Sequence, residues 1–271
     1  MQVARRTIRF ANYLSPLLQD TYTYIANSIA IRIGHPVIFN TGQSLDEFTR
    51  GQVDVGFLCG LLYVHMTGGE EACPVELLAA PVLPAARYLG RPLYFSDVIV
   101  RAASRYSSFK DLAGCDWAYN ECGSHSGCNL VNYSLLEHGL APDYFGRLVK
   151  SGSHLNSLRM VLSGEADAAA IDSHLLDVVL CRDAQMSARI RVIDMLGPSA
   201  IPPIVVAKQL DPALKCALQE MLITLHKDPF SAQVLHEGGI ERFVPVQDEC
   251  YDDIRHMFAR VQATEFPRAF R

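Results

Sequence analysis

One short element occurs twice in this chain, as Gly51-Gln52-Val53-Asp54-Val55-Gly56 and as Gly164-Glu165-Ala166-Asp167-Ala168-Ala169. In each copy a glycine ends a helical stretch and a short apolar strand begins. The surroundings echo each other too, as strand, helix, strand, short helix, strand. Two related α/β lobes of this kind predict a cleft between them.

In the first block Thr7–Ala11 reads as a strand, Leu17–Ile33 as a helix stopped at Gly34, and Val37–Asn40 as a second strand. Ser44-Leu45-Asp46-Glu47 reads as a capping-box start for a short helix that stops at Gly51. Val53–Phe57 is a short strand, Gly60 opens a helix, and Val75–Ala80 and Leu93–Arg101 are further strands. The second block reads as a short helix Ser108–Leu112, strand Asp116–Tyr119, helix Ser126–His138, strand Leu148–Lys150 and helix His154–Leu162. Strand Ala168–Ile171, helix Ser173–Cys181 and a last strand Ile190–Ile193 follow. Apolar runs flanked by helices predict a largely parallel sheet covered on both faces. Gly197-Pro198-Ser199-Ala200-Ile201-Pro202-Pro203 is stiff and does not suit a sheet interior. Beyond it come a strand, Ile204–Ala207, and helices at Asp211–His226, Ser231–Glu237 and Asp248–Ala263.

A chain of 271 residues makes one large domain or two moderate ones, and 49% hydrophobic residues supply a core. A net charge of −5 argues against nucleic acid as a partner, because backbone phosphates need a basic face. No run of about 18 apolar residues is present, so no membrane insertion is expected. Met1-Gln2-Val3-Ala4-Arg5-Arg6 has no apolar core and does not read as a secretory signal. A cytoplasmic chain and an extracytoplasmic one whose leader was removed are both open. The eight cysteines form no CxxC pair and the nine histidines no HExxH, so no metal site is expected. Thiols in apolar surroundings act as small core residues and suit a reducing compartment.

The stretch with most chemistry is Tyr119-Asn120-Glu121-Cys122-Gly123-Ser124-His125-Ser126-Gly127. A strand feeds a loop of small polar residues, and the loop opens a helix. Several backbone N–H groups and the hydroxyls of Ser124 and Ser126 then converge on one point. The positive end of the helix favours a phosphate-like anion there. An ordinary serine N-cap is the alternative.

These pieces, in their order, resemble the phosphate/phosphite/phosphonate-binding proteins of ABC importers. The resemblance rests on Tyr94-Phe95-Ser96-Asp97-Val98-Ile99-Val100, Ser108-Phe109-Lys110-Asp111-Leu112-Ala113-Gly114, the 119–127 loop, Ser151-Gly152-Ser153-His154 and Gly164 through Ser173. Tyr13-Leu14-Ser15-Pro16, Val53 through Phe57 and the tail from Asp228 to Tyr251 agree more loosely. The resemblance implies an α/β, two-lobe type II periplasmic-binding-protein-like fold with a central cleft and two hinge crossings. Lobe one would be residues 1–95 plus 203–271, and lobe two residues 96–202. The crossings would lie near Tyr94–Asp97 and Pro198–Pro203.

By the same resemblance Ser124, His125 and Ser126 would donate to three oxygens of a tetrahedral anion. His125 stands where relatives often carry threonine, and its backbone N–H alone would serve if its ring turns away. His154 would face the oxyanion, the alternative being a capping or packing histidine. Asp172 would accept from a protonated phosphoryl oxygen or a ligand amine and so reject sulfate, the alternative being a helix N-cap. Glu121 would meet a ligand amine or sit at the rim. Tyr13 and Tyr94 would give a phenol or an aromatic wall, or simply belong to the core. Cys122 stands where many relatives carry proline, and Cys128 where an aromatic is common.

The function implied is a solute-binding protein for a small phosphorus oxyanion or phosphonate, with no catalytic residues, no cofactor and no metal. Its partners would be that anion and an ABC importer membrane subunit. Two other readings stay open: a cytosolic enzyme of the same fold in cofactor biosynthesis, and a ligand-sensing module.

Overall fold

The computed structural model of this protein describes residues 5–69 and 72–264. The chain opens with β1 (Ile8–Asn12), α1 (Gln19–Ile33), β2 (Val37–Thr41), α2 (Asp46–Thr49), β3 (Val55–Phe57), α3 (Gly60–Thr67) and β4 (Val75–Val82). It continues through β5 (Leu93–Arg101), β6 (Trp117–Tyr119), α4 (Leu130–Glu137), β7 (Leu148–Lys150), α5 (His154–Ser163), β8 (Ala168–Asp172), α6 (Ser173–Arg182), α7 (Ala184–Arg189) and β9 (Ile190–Ala200). Last come β10 (Ile204–Ala207), α8 (Pro212–Thr224), α9 (Pro229–Glu237), β11 (Arg242–Val244) and α10 (Asp252–Gln262).

Local chemistry accounts for many of these ends. Gly34 and Gly164 close α1 and α5 in the left-handed region, at φ 69° and 86°, where a side chain would be strained. Ser108 and Asp111 form a reciprocal capping box on a short 3-10 turn. The capping box expected at Ser44 and Glu47 does not form. Glu47 instead accepts from the Gln43 N–H and from the Tyr13 hydroxyl, a partner the local sequence does not reveal.

The chain divides into two compact units. One holds the described residues up to Pro92 together with Ile201–Tyr251; the other holds Leu93–Ala200 and the described residues from Asp252 onward. The chain thus passes between units near the two expected places and a third time after Tyr251. The expected grouping of 203–271 with the first lobe is corrected here, because α10 buries Met257 and Val261 in the core of the second unit, beside Leu130 and Val131. The ends of that grouping, residues 1–4 and 265–271, lie outside the described residues.

The first unit's sheet has the order β11-β4-β10-β3-β1-β2 and the second unit's the order β7-β6-β8-β5-β9. β1 runs parallel to β2 and β3, and β6 parallel to β7 and β8. β10 is antiparallel to β3 and β4, and β5 antiparallel to β8 and β9. The largely parallel sheet expected from the sequence is therefore mixed in both units. The antiparallel strands β5, β9 and β10 adjoin the passages between units, whereas helical crossovers build the parallel pairs. β9 also runs on through Pro198 to Ala200, beyond the expected Ile193. It is an edge strand, where a missing N–H removes no ladder bond.

The first core packs Phe10, Ile25, Phe48 and Leu58, with Tyr22 stacked on Phe57 at 4.4 Å. In the second, Trp117 stacks on Phe145 at 4.3 Å and Phe109 meets the Trp117 edge.

Candidate anion-binding site

β6 ends at Tyr119, and the backbone of the next strand follows it outward. Ser151 N donates to Tyr119 O at 2.8 Å and Gly152 N to Asn120 O at 2.9 Å. This pairing sets the start of α5, capped by Ser153, beside the loop that precedes α4. The loop enters its helix through a π-turn, His125–Asn129, with Ser124 as N-cap. Ser124 Oγ accepts from Gly127 N at 3.1 Å. The N–H groups of His125 and Ser126, the first two of the helix, have no acceptor among the described residues. Such groups are the natural donors for an anion. The ordinary serine cap is therefore real, and it coexists with free donors.

His154, at the first position of α5, has Nε2 3.1 Å from Ser126 Oγ. Its Nδ1 is buried without a hydrogen bond among the described residues. Burial pushes its pKa down to about 4, and the nearby Ala170 carbonyl opposes this without completing a bond to Nδ1. Ser126 and His154 resemble a nucleophile–base pair, yet no carboxylate orients the ring. A neutral, weakly basic imidazole in that state is a poor proton acceptor near pH 7.

Two residues of this site escaped the sequence reading. Ser96, fully buried on β5, donates from Oγ to Ser126 O at 2.7 Å and anchors the loop. Asn120 presses on the helix start: a Cβ at Gly127 would lie 1.9 Å from Asn120 Oδ1. Glycine is thus required there by close approach, not by φ. Asn120 Oδ1 is itself buried with no partner among the described residues. The sequence signal that pointed to it was only its place between strand and loop.

Asp172 lies opposite Ser96 in the β5–β8 register. It is the N-cap of α6, its Oδ1 accepting from His174 N at 2.9 Å and Leu175 N at 3.2 Å. Among the described residues Oδ2 has no hydrogen bond. The residue as a whole is half-buried. Burial raises its pKa to about 7 against the lowering by the two N–H groups, with Asp97 and Asp177 adding repulsion.

His125 turns its ring away from the loop's donors, into the second unit. Nε2 lies 2.8 Å from Ser199 Oγ and Nδ1 3.1 Å from Asn129 Nδ2. Full burial pushes its pKa down to about 3. Tyr94 is buried on β5 with its ring 6.4 Å from that of His125, so it backs the loop from inside. Glu121 is exposed, and its carbonyl accepts from Ser124 N at 3.2 Å. Cys122 is half-buried against the second core, and burial pushes the Cys128 thiol up to about 12. Tyr13 belongs to the first unit, where its hydroxyl is 2.6 Å from Glu47 Oε2. Burial and that carboxylate raise its pKa. The structure therefore gathers Ser124, Ser126 and His154, with the His125 backbone, in one place. Among the described residues no group of three or more His, Cys, Asp or Glu could hold a metal, and no helix is long and apolar enough to cross a membrane.

Solved structures of the same fold are recognisable at low identity. PhnD1 from Prochlorococcus marinus, in complex with methylphosphonate, superposes with a TM-score of 0.81 at 15% identity, covering 95% of this chain and 99% of that one. A binding-protein component of an ABC phosphonate transporter from Pseudomonas aeruginosa gives 0.80 at 17% identity, covering 95% and 87%. A protein from Xanthomonas citri bound to ATP gives 0.67 at 19% identity, covering 95% and 97%. These likenesses establish the type II periplasmic-binding-protein fold. Residues 11–251 match the family described as ABC transporter, phosphonate, periplasmic substrate-binding protein, and the chain belongs to that family.

Proposed function

We propose that this protein binds a small phosphonate or related phosphorus oxyanion and presents it to an ABC importer, holding the phosphoryl group at the 124–126 loop. The observation that carries this reading is the helix start itself. Two N–H groups without acceptors among the described residues stand beside two serine hydroxyls, with the buried His154 ring close by. Neutral dipoles of this kind hold an anion without a counter-charge. Asp172 Oδ2 is the acceptor for a proton on the phosphoryl group or for a ligand amine. Sulfate brings no such proton, so once Asp172 is ionised, above about pH 7, it leaves the carboxylate unmatched.

No reaction follows binding in this reading, since the Ser126–His154 pair lacks an orienting acid. Phosphorus NMR of the protein with methylphosphonate should show no new product over days; a product whose formation depends on His154 overturns this part.

Calorimetry is the direct test of the site. Wild type should bind methylphosphonate or phosphate well above sulfate. The Ser124→Ala/Ser126→Ala variant should lose about 1–3 kcal/mol, the usual worth of hydrogen bonds to a charged group. Equal affinity in the double variant would remove the loop from the site.

A further inference from the structure

His125 is the central residue of the loop, yet its ring bonds elsewhere. The direction of those bonds is determined. An amide nitrogen only donates, so Asn129 Nδ2 gives its proton to His125 Nδ1 at 3.1 Å. The ring proton therefore sits on Nε2 and is donated to Ser199 Oγ at 2.8 Å. The Ser199 hydroxyl in turn donates to Asp253 Oδ2 at 2.9 Å, which also accepts from Ala200 N at 2.9 Å. His125, Ser199 and Asn129 are buried, at 0%, 2% and 4% exposure. A side chain that only filled space would be apolar. Here every polar atom of a buried ring is matched, which specifies one orientation.

The far end of this chain of bonds has a particular location. Ser199 and Ala200 immediately precede the passage to Ile201, and Asp253 follows the passage after Tyr251. We propose that His125 is a positioning residue of the anion site: through Ser199 and Asp253 it ties the 124–126 loop to two of the points where the chain passes between its units. Occupancy of the loop and the backbone at these passages are then energetically coupled. This rests on the loop being the phosphoryl site.

The experiment is amide hydrogen exchange on the full chain with and without methylphosphonate, together with calorimetric affinity. In wild type the ligand should slow exchange in the loop and also at Ala200, Ile201 and Ile254. In Ser199→Ala, protection should persist in the loop but vanish at those three, and affinity should fall about five- to tenfold. Asp253→Ala should behave alike if Ser199→Ala folds poorly. Asp253→Asn, which keeps the acceptor, should recover most of what Asp253→Ala loses. A merely structural role would lower stability without uncoupling the two segments, so wild-type affinity and protection at the passages in both variants would overturn the proposal. If wild type binds neither methylphosphonate nor inorganic phosphate, the reading of the site has failed instead. The bond chain is then judged without ligand: Ser199→Ala and Asp253→Ala should each speed exchange at His125–Asn129, and unchanged rates would sink it.

Discussion

Asp54 and Asp167 occupy the same place in the duplicated element, and the two units use them alike at the backbone. Asp54 N donates to Arg9 O, and the Asp54 carboxylate accepts from Arg9 N at 2.9 Å. Asp167 N donates to Asp116 O, and its carboxylate accepts from Asp116 N at 3.1 Å. Each aspartate thus clasps the neighbouring strand at the start of its own. The side-chain surroundings then diverge. Asp54 is buried and ion-paired with both Arg6 and Arg9, while Asp167 is over a third exposed with Arg101 at 3.6 Å. The shared clasp is what the duplicated motif encodes; the burial of the charge is what each unit added to it.

The sharpest way to break that comparison is to remove each carboxylate. Asp54→Ala should destabilise by about 3–5 kcal/mol, as expected for one partner lost from a buried ion pair. Asp167→Ala should cost about 1–2 kcal/mol, the worth of one satisfied backbone N–H beside a surface pair. Urea midpoints compared in parallel decide it, and equal shifts would mean that burial of the first charge contributes nothing.

The units also differ in where titratable groups are buried, and Asp172 makes the difference measurable. In the fold its carboxyl keeps a proton to about pH 7. Unfolded, it loses that proton near about pH 4. The stability it brings is fully present below the unfolded value and is lost as the pH rises through 7. Asp172→Asn keeps an Oδ1 for both N–H groups of α6 and cannot ionise. It should therefore stabilise the protein by about 2–4 kcal/mol at pH 8 and by almost nothing at pH 4. The same variant should narrow the preference for protonated phosphoryl ligands over sulfate. Thermal melts across that range, with a ligand panel, test both; a pH-independent difference in stability would show that the carboxyl ionises freely in the fold.

A smaller effect separates two kinds of glycine. Gly127→Ala drives a methyl onto Asn120 and should weaken methylphosphonate binding by about 1–3 kcal/mol, as overpacking does. Gly51→Ala meets no atom within 4 Å but sits at φ +63°. It should cost about 1 kcal/mol of stability and leave binding unchanged. Binding lost equally in both variants would mean that the loop responds to general loosening.

What the sequence by itself determined was local. Periodicity marked β5 at its observed bounds and placed most helices within a few residues. Gly34 and Gly164 announced their helix ends, Ser108 the start of a short helical turn, and Ser124 the start of the loop helix. Such signals act over a few residues, so they survive without the fold. Tertiary structure decided everything that depends on a distant partner. Asp172 could be read either as a cap or as a ligand group, and only the placement of α6 shows its Oδ1 capping while Oδ2 has no bond among the described residues. Pro198 reads as a strand breaker until β9 is seen to be an edge. Glu47 reads as a cap until Tyr13, far away in sequence, reaches it. His125 reads as one of three adjacent donors, and its ring instead finds Ser199, 74 residues on. No spacing rule encodes that choice, because it is made by whichever polar group the packed chain leaves unmatched beside the ring.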